Sequence, residues 1–299
     1  MTAATMSPRV NSEANDKAIR HGLVMHVITW IVLLILFFVF IAPFLIVLVN
    51  VFKNMADITM DPLSLVGKIN GFTVENFPHA MESMDFWTVF ANSCIITISA
   101  TVLTVLFSAM CAYVVARNPR WKFCAFIFAL MIASMVIPFQ VLMVPLVSVY
   151  GGAFHVLNSR LTLILMHTGF SVSMAMFMYH GAIRTNVPID LEEAAEIDGC
   201  SKWRTFWTIV FPLLRPMTAT IIIIDAMAFW NDYLLPSLVL GRKSLYTIPV
   251  ATQVFYGTYS TDIGLVMAAL VLAMLPILIL YLFLQRFIVA GVTAGAVKG

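Results

Sequence analysis

The sequence predicts an all-α, polytopic membrane protein with six transmembrane helices and a polar helix pair on the cytoplasmic side. Three observations carry this prediction. Hydrophobic residues fill 61% of the 299 positions and charged residues only 11%, against roughly a quarter charged in soluble domains. Six stretches free of Lys and Arg are each long enough for a membrane-crossing helix, which takes about 20 residues. None of them alternates as a barrel strand would, and a backbone in hydrocarbon must satisfy its own hydrogen bonds, which leaves the helix.

Residues 1–22 are polar and read as a disordered cytoplasmic tail. The apolar run from Leu23 to Val51 exceeds the short core of a cleavable signal peptide, so residues 23–52 are expected to remain as the first transmembrane helix. Residues 53–85 form an external loop with Asp57, Asp61, Glu75, Glu82 and Asp85, long enough to fold back over the outer mouth. Residues 86–290 make a five-helix core, with spans at Phe86 to Ala116, Phe123 to Val147, Leu161 to Ile183, Met217 to Leu240 and Ile263 to Gln285. Pro43, Pro138, Pro145, Pro236 and Pro276 lie in or near spans and are expected to kink them. Residues 291–299 close the chain as a cytoplasmic tail.

Orientation follows from Lys and Arg between the spans. With the N-terminus inside, twelve fall on the inner side, against Lys53, Lys68, Arg160, Arg242 and Lys243 outside. Both termini are therefore expected in the cytoplasm. A formal charge of +2 is too small to indicate a nucleic-acid partner. Cys94, Cys111 and Cys124 sit in apolar runs and Cys200 in a charged one, so no disulfide is expected.

The longest charged, helix-patterned segment is the loop 184–216 between the fourth and fifth spans. Pro188 suits the first turn of a helix, Asp190, Glu192 and Glu193 suit its positive end, and Gly199 supplies a left-handed residue to end it. Ser201 is placed to cap a second helix with Trp203, Phe206, Trp207 and Val210 on one apolar face, stopped by Pro212. Such a pair could lie on lipid as an interfacial helix. Its first helix is acidic, however, which anionic lipid repels, and Ala194, Ala195 and Gly199 leave room for another protein to approach closely.

Glu193-Ala194-Ala195, Gly199, Ile209 and Pro212 resemble, almost residue for residue, the cytoplasmic Glu-Ala-Ala loop of binding-protein-dependent ABC importer permeases. Phe211 stands where that family usually has Leu. Trp230 to Pro236, Asp262 to Arg286 and Gly291 to Gly299 look like the sugar-uptake branch, in particular the smaller permease subunit of maltose-type importers. The resemblance implies an inner-membrane permease working by alternating access, paired with a second homologous permease, two ATPase subunits and an extracytoplasmic solute-binding protein, for a sugar or oligosaccharide. It implies that Glu193, Ala194, Ala195, Gly199, Ile209 and Pro212 couple to the ATPase and that the tail residues Gly295, Lys298 and Gly299 contact it. It also implies that the external segment from Arg242 to Thr261 probes the binding protein. ATP and Mg would be used by the partner chain, since Gly241-Arg-Lys-Ser244 lacks the leading glycine of a phosphate loop. No cofactor or metal is expected on this chain, whose His residues lack ligand spacing.

Within the spans, Thr218, Asp225 and Asp232 fall seven residues apart, on one helix face, next to Asn231. They are candidates for a translocation path or a subunit contact, because a charge at that depth must face the bundle interior or a wet cavity. A protonated or capped Asp225 buried between helices fits the pattern as well. Two other function classes draw on the same residues: an ion-coupled secondary transporter with Asp225 as proton site, and an intramembrane hydrolase using Ser171 and His167. The first wants internal symmetry that the sequence lacks. The second wants a strand-to-helix elbow that a spanning helix cannot offer. A phosphorylated cargo such as a sugar or glycerol phosphate is disfavoured by the absence of Lys and Arg within the spans.

Overall fold

The structure is a computed structural model and describes residues 9–69, 71–255 and 262–296. It divides into two units, Met1–Val74 and Glu75–Gly299.

In the first unit, α1 (Arg9–Asn50) is one helix that runs through Pro43. The expected tail is thus helical from Arg9 onward, not disordered. Once an apolar span has formed a helix, extension costs little, and Ala14, Lys17, Ala18 and Arg20 are good helix formers. The segment after α1 holds α2 (Met55–Met60) and is laced by side chains. The Asn50 amide donates to Ile46 O and Pro62 O at 2.8 and 2.9 Å. Lys53 Nζ donates to Asn50 Oδ1 and Asp61 O. Asp57 Oδ1 accepts the Ile69 N–H at 2.7 Å.

The second unit begins with α3 (Asn76–Ser83), followed by α4 (Phe86–Arg117). Along α4 the buried side chains are mostly small or hydroxylated, among them Ala100, Thr104, Ser108, Ala109 and Ala112. Lipid is as apolar as leucine, so membrane helices pair where small residues let backbones approach. This stripe packs most extensively against α7 (Arg160–Asn186), whose Leu163, Met176, Tyr179 and Ile183 are buried.

Between them, the expected third span is broken. Helix α5 (Lys122–Met135) and α6 (Phe139–Leu146) meet at 95°, α6 continuing through a wide π-helical turn, Val147–Ala153. Pro138 lies at the break, where its ring excludes the preceding residue from the helical region and it has no N–H to donate. The other expected kinks do not interrupt their helices: Pro145 lies within α6 and Pro276 within α14 (Ile263–Ala296).

After α7 come α8 (Ile189–Ile197) and α9 (Lys202–Thr205), the latter leading through a π-helical turn, Phe206–Val210, into α10 (Phe211–Leu213). Pro212 therefore does not end this helix. The chain turns at Leu214 instead, and α11 (Arg215–Asn231) leaves at 75°. The expected fifth span, Met217 to Leu240, is also interrupted, because α11 stops at Asn231 and α12 (Leu234–Val239) restarts two residues on. The cause is Asp232, whose Oδ1 accepts the Leu234 N–H at 2.9 Å and so competes with the helical ladder.

A short α13 (Ile248–Ala251) precedes α14. The segment before it is tied down, with Asn92 Nδ2 donating to Ser244 O and Tyr246 O at 3.0 and 2.9 Å and Ser93 Oγ accepting the Ile248 N–H at 2.9 Å. Four described helices, counting α1 from Gly22, are long and apolar enough to cross a bilayer, and six if each bent pair is one span.

Candidate functional site

The polar loop folds as its residues dictate. Pro188 caps α8 from just outside, and Asp190 and Glu192 lie in the first turn, where the helix dipole favours acids. At the other end Gly199 has φ +79°. The Cys200 N–H reaches Ala195 O at 2.9 Å and the Gly199 N–H reaches Glu196 O at 3.0 Å, the paired bonds of a Schellman motif that satisfy the last carbonyls. Ser201 then caps α9, its Oγ accepting from the Arg204 N–H at 3.3 Å.

Two faces of α8 do different work. Glu192 faces the bundle: Arg117 at the end of α4 donates to its Oε1 from Nε at 2.9 Å and from Nη2 at 2.7 Å, and Tyr113 donates to its Oε2 at 2.8 Å. The same Nη2 also holds Val187 O at 2.8 Å. Glu193, Ala194, Glu196 and Gly199 are exposed, and Ile197 is 87% exposed. Ala195 is buried against its own chain, so of the two alanines only Ala194 is open to another protein. A Cβ at Gly199 would meet nothing within 4 Å, which makes backbone conformation, not space, the reason for glycine there. Phe206 and Val210 are buried and Ile209 and Pro212 half-buried, whereas Trp203, expected on the same apolar face, is 63% exposed. The π-helical turn shifts the face between Trp203 and Val210.

In the sequence Arg117 counts only as one of the twelve inner-side charges, and Glu192 only as a dipole partner. Consecutive helical residues point about 100° apart, but Ala194 follows Glu193 by the same angle and is exposed with it, so spacing alone did not mark Glu192 as the residue that turns inward. The exposed Ile197 had no signal in the pattern.

The four intramembrane candidates separate. Thr218 Oγ1 is bonded to the Tyr179 hydroxyl at 2.9 Å, tying α11 to α7. Asp225 is buried with Oδ2 lacking a partner among the described residues. Asn231 and Asp232 instead border a cavity of about 1170 Å³ with residues of α5, α6, α7 and α12. Asp232 lies beyond the helix, with ψ 124°, so the shared face expected of Thr218, Asp225 and Asp232 stops short of it. His167 and Ser171 reach the same cavity from α7, an unbroken helix with no nucleophile elbow. Among the described residues no three His, Cys, Asp or Glu gather as metal ligands. Gly295 lies in α14, and Lys298 and Gly299 lie outside the described residues. The segment from Arg242 is described as far as Phe255.

The model of the family described as "binding-protein-dependent transport system inner membrane component" matches residues 105–294. The chain belongs to this family of transport permeases. This permease is 39% identical over 265 residues to the probable starch degradation products transport system permease protein AmyC of Thermoanaerobacterium thermosulfurigenes, covering 89% of this chain and 94% of that one. It is 40% identical over 224 residues to the melibiose/raffinose/stachyose import permease protein MelC of Bacillus subtilis, covering 75% and 80%. In fold it resembles a chain of a bacterial ABC transporter involved in the import of the acidic polysaccharide alginate, with TM-score 0.68, 17% identity, and 95% and 99% of the two chains covered. The matched residues of the permease include the α8–α10 loop, the Arg117 contact and every side chain bordering the cavity.

Proposed function

We propose that this permease carries a neutral sugar or oligosaccharide across the inner membrane by alternating access, driven by ATP hydrolysed on separate ATPase subunits. The relatives named for starch products and for melibiose, raffinose and stachyose support the cargo class. The observation that carries the coupling is the division of α8: Glu192 is gripped by the bundle while Glu193, Glu196 and Ile197 are exposed. The small Ala194 and Gly199 are exposed beside Glu193, Glu196 and Ile197, which leaves a surface that another protein can approach closely. Movement of a docked ATPase would pull α8, and Arg117 would pass that pull to α4. A second homologous permease and an extracytoplasmic binding protein complete the assembly. ATP and Mg stay on the ATPase, and both termini and the loop lie in the cytoplasm. The tail through Gly295, Lys298 and Gly299 reaches toward the same partner.

Glu193→Lys tests this reading in the reconstituted importer. The variant should insert normally, yet retain little of the ATPase on purification and lose most uptake. Normal uptake with normal ATPase retention would refute docking at α8.

A further inference from the structure

We infer that the cavity beside α7 is a sugar-binding subsite belonging to this subunit itself, with His167 and Asp232 as its polar anchor and Phe139 and Phe170 as its stacking surface. The inference rests on the sugar-transport reading above and adds where the cargo is held.

His167 is only 4% exposed, and its Nε2 is buried without a hydrogen-bond partner among the described residues. Its Nδ1 stands 3.9 Å from Asp232 Oδ2, beyond hydrogen-bond reach. Nε2 has essentially no accessible surface of its own, so Asp232, whose side chain is 26% exposed, is the anchor an occupant meets directly, with His167 the polar group beside it. The Phe229 ring lies 4.6 Å from the imidazole and limits its tilt. Asp232 is held in turn, because its carboxylate takes the Leu234 N–H on Oδ1 and is bonded by the Leu235 N–H as well. Both anchors are therefore positioned before any ligand arrives, which lowers the ordering cost of binding.

The same lining carries the opposite chemistry. Phe139 and Phe170 meet edge to face at 5.2 Å and 87°, making a corner of two aromatic surfaces. A pyranose is apolar on its C–H faces and polar around its rim, so a ring lying on one Phe turns its hydroxyls toward a polar wall. Ser171 and Gln140 add a hydroxyl and an amide to the lining. Asp232 is the one acid there, and the lining includes no Lys or Arg, so a phosphate would meet an acid and no cation. The volume of about 1170 Å³ exceeds the roughly 300–1,000 Å³ of small-ligand pockets, which leaves room for more than one sugar ring.

The test uses the complete importer, with second permease, ATPase and binding protein, in vesicles loaded with ATP. The probes are labelled maltotriose, raffinose, arabinotriose and diacetylchitobiose, at saturating binding protein so that its affinity does not set the rate. For a sugar that wild type transports, Asp232→Asn and Phe170→Ala should each raise the ATP consumed per sugar moved about tenfold, and Phe170→Trp should restore most of the loss. Phe170 is well exposed, so its variants do not depend on a core substitution being tolerated. An unchanged ATP-to-sugar ratio in both variants would overturn the subsite while leaving sugar transport intact. Loss of the second permease on purification of Phe170→Ala would overturn it too, showing the cavity to be a seat for a partner helix. If wild type moves none of the four sugars, the sugar-transport reading fails first and this inference with it.

Discussion

Arg117 grips Glu192 through two nitrogens, Nε at 2.9 Å and Nη2 at 2.7 Å, joining the end of α4 to the first helix of the polar loop. Both side chains are largely buried, at 17% and 12% exposure, so the pair cannot be treated as a surface ion pair of little worth. Breaking it by Arg117→Ala leaves a carboxylate mostly buried without its cation and should cost about 3 kcal/mol. Glu192→Gln should cost less, because its amide oxygen can still accept from Arg117. Thermal unfolding of the purified permease gives both values, and equal, negligible losses would show the pair to be idle.

Gly199 should tolerate asparagine better than alanine. Its φ of +79° lies where an L side chain is strained, by roughly 1–2 kcal/mol, and Asn visits that region more readily. Because a Cβ there meets nothing, a loss from Gly199→Ala reports conformation alone. Unfolding midpoints that rank Ala above Asn would contradict the Schellman reading.

Tyr179→Phe should cost about 1 kcal/mol by removing the hydroxyl bonded to Thr218. Asp225→Asn should keep most uptake, since an ATP-driven permease does not draw energy from a titrating acid. Uptake driven in wild type by a proton gradient without ATP would overturn that mechanism.

Reporters fused after Lys122, Arg204 and Gly299 should read cytoplasmic, and those after Asp61 and Lys243 external. The distribution of Lys and Arg sets this order. A cytoplasmic signal at Asp61 would remove the first crossing from the topology.

Much of the local structure could be read from residue type. Gly199 had to be left-handed, Ser201 had to cap, and both do so because these motifs are satisfied within a few residues of chain. Pro138 was legible as a disturbance, but not the 95° bend, which depends on what the two halves then pack against. The interruption at Asp232 was missed because hydropathy continues across it and only a two-residue side-chain turn breaks the helix. Trp203 was misplaced because a 3.6-residue period was carried through a π-helical turn.

By itself the sequence determined membrane insertion, the helical class, and the polar loop with its two caps. Each follows from transfer of apolar side chains out of water or from hydrogen bonds closed locally. Tertiary structure decided which helix faces meet, since every face of a spanning helix is apolar and only the small-residue stripe of α4 distinguishes its partner side. It decided that Glu192 turns inward to Arg117, 75 residues away in sequence, while Glu193 turns outward. It brought His167 beside Asp232 and drew Thr218 and Asp225 away from them. Those pairings join distant parts of the chain, and no local period or propensity encodes a contact whose two halves lie on different helices.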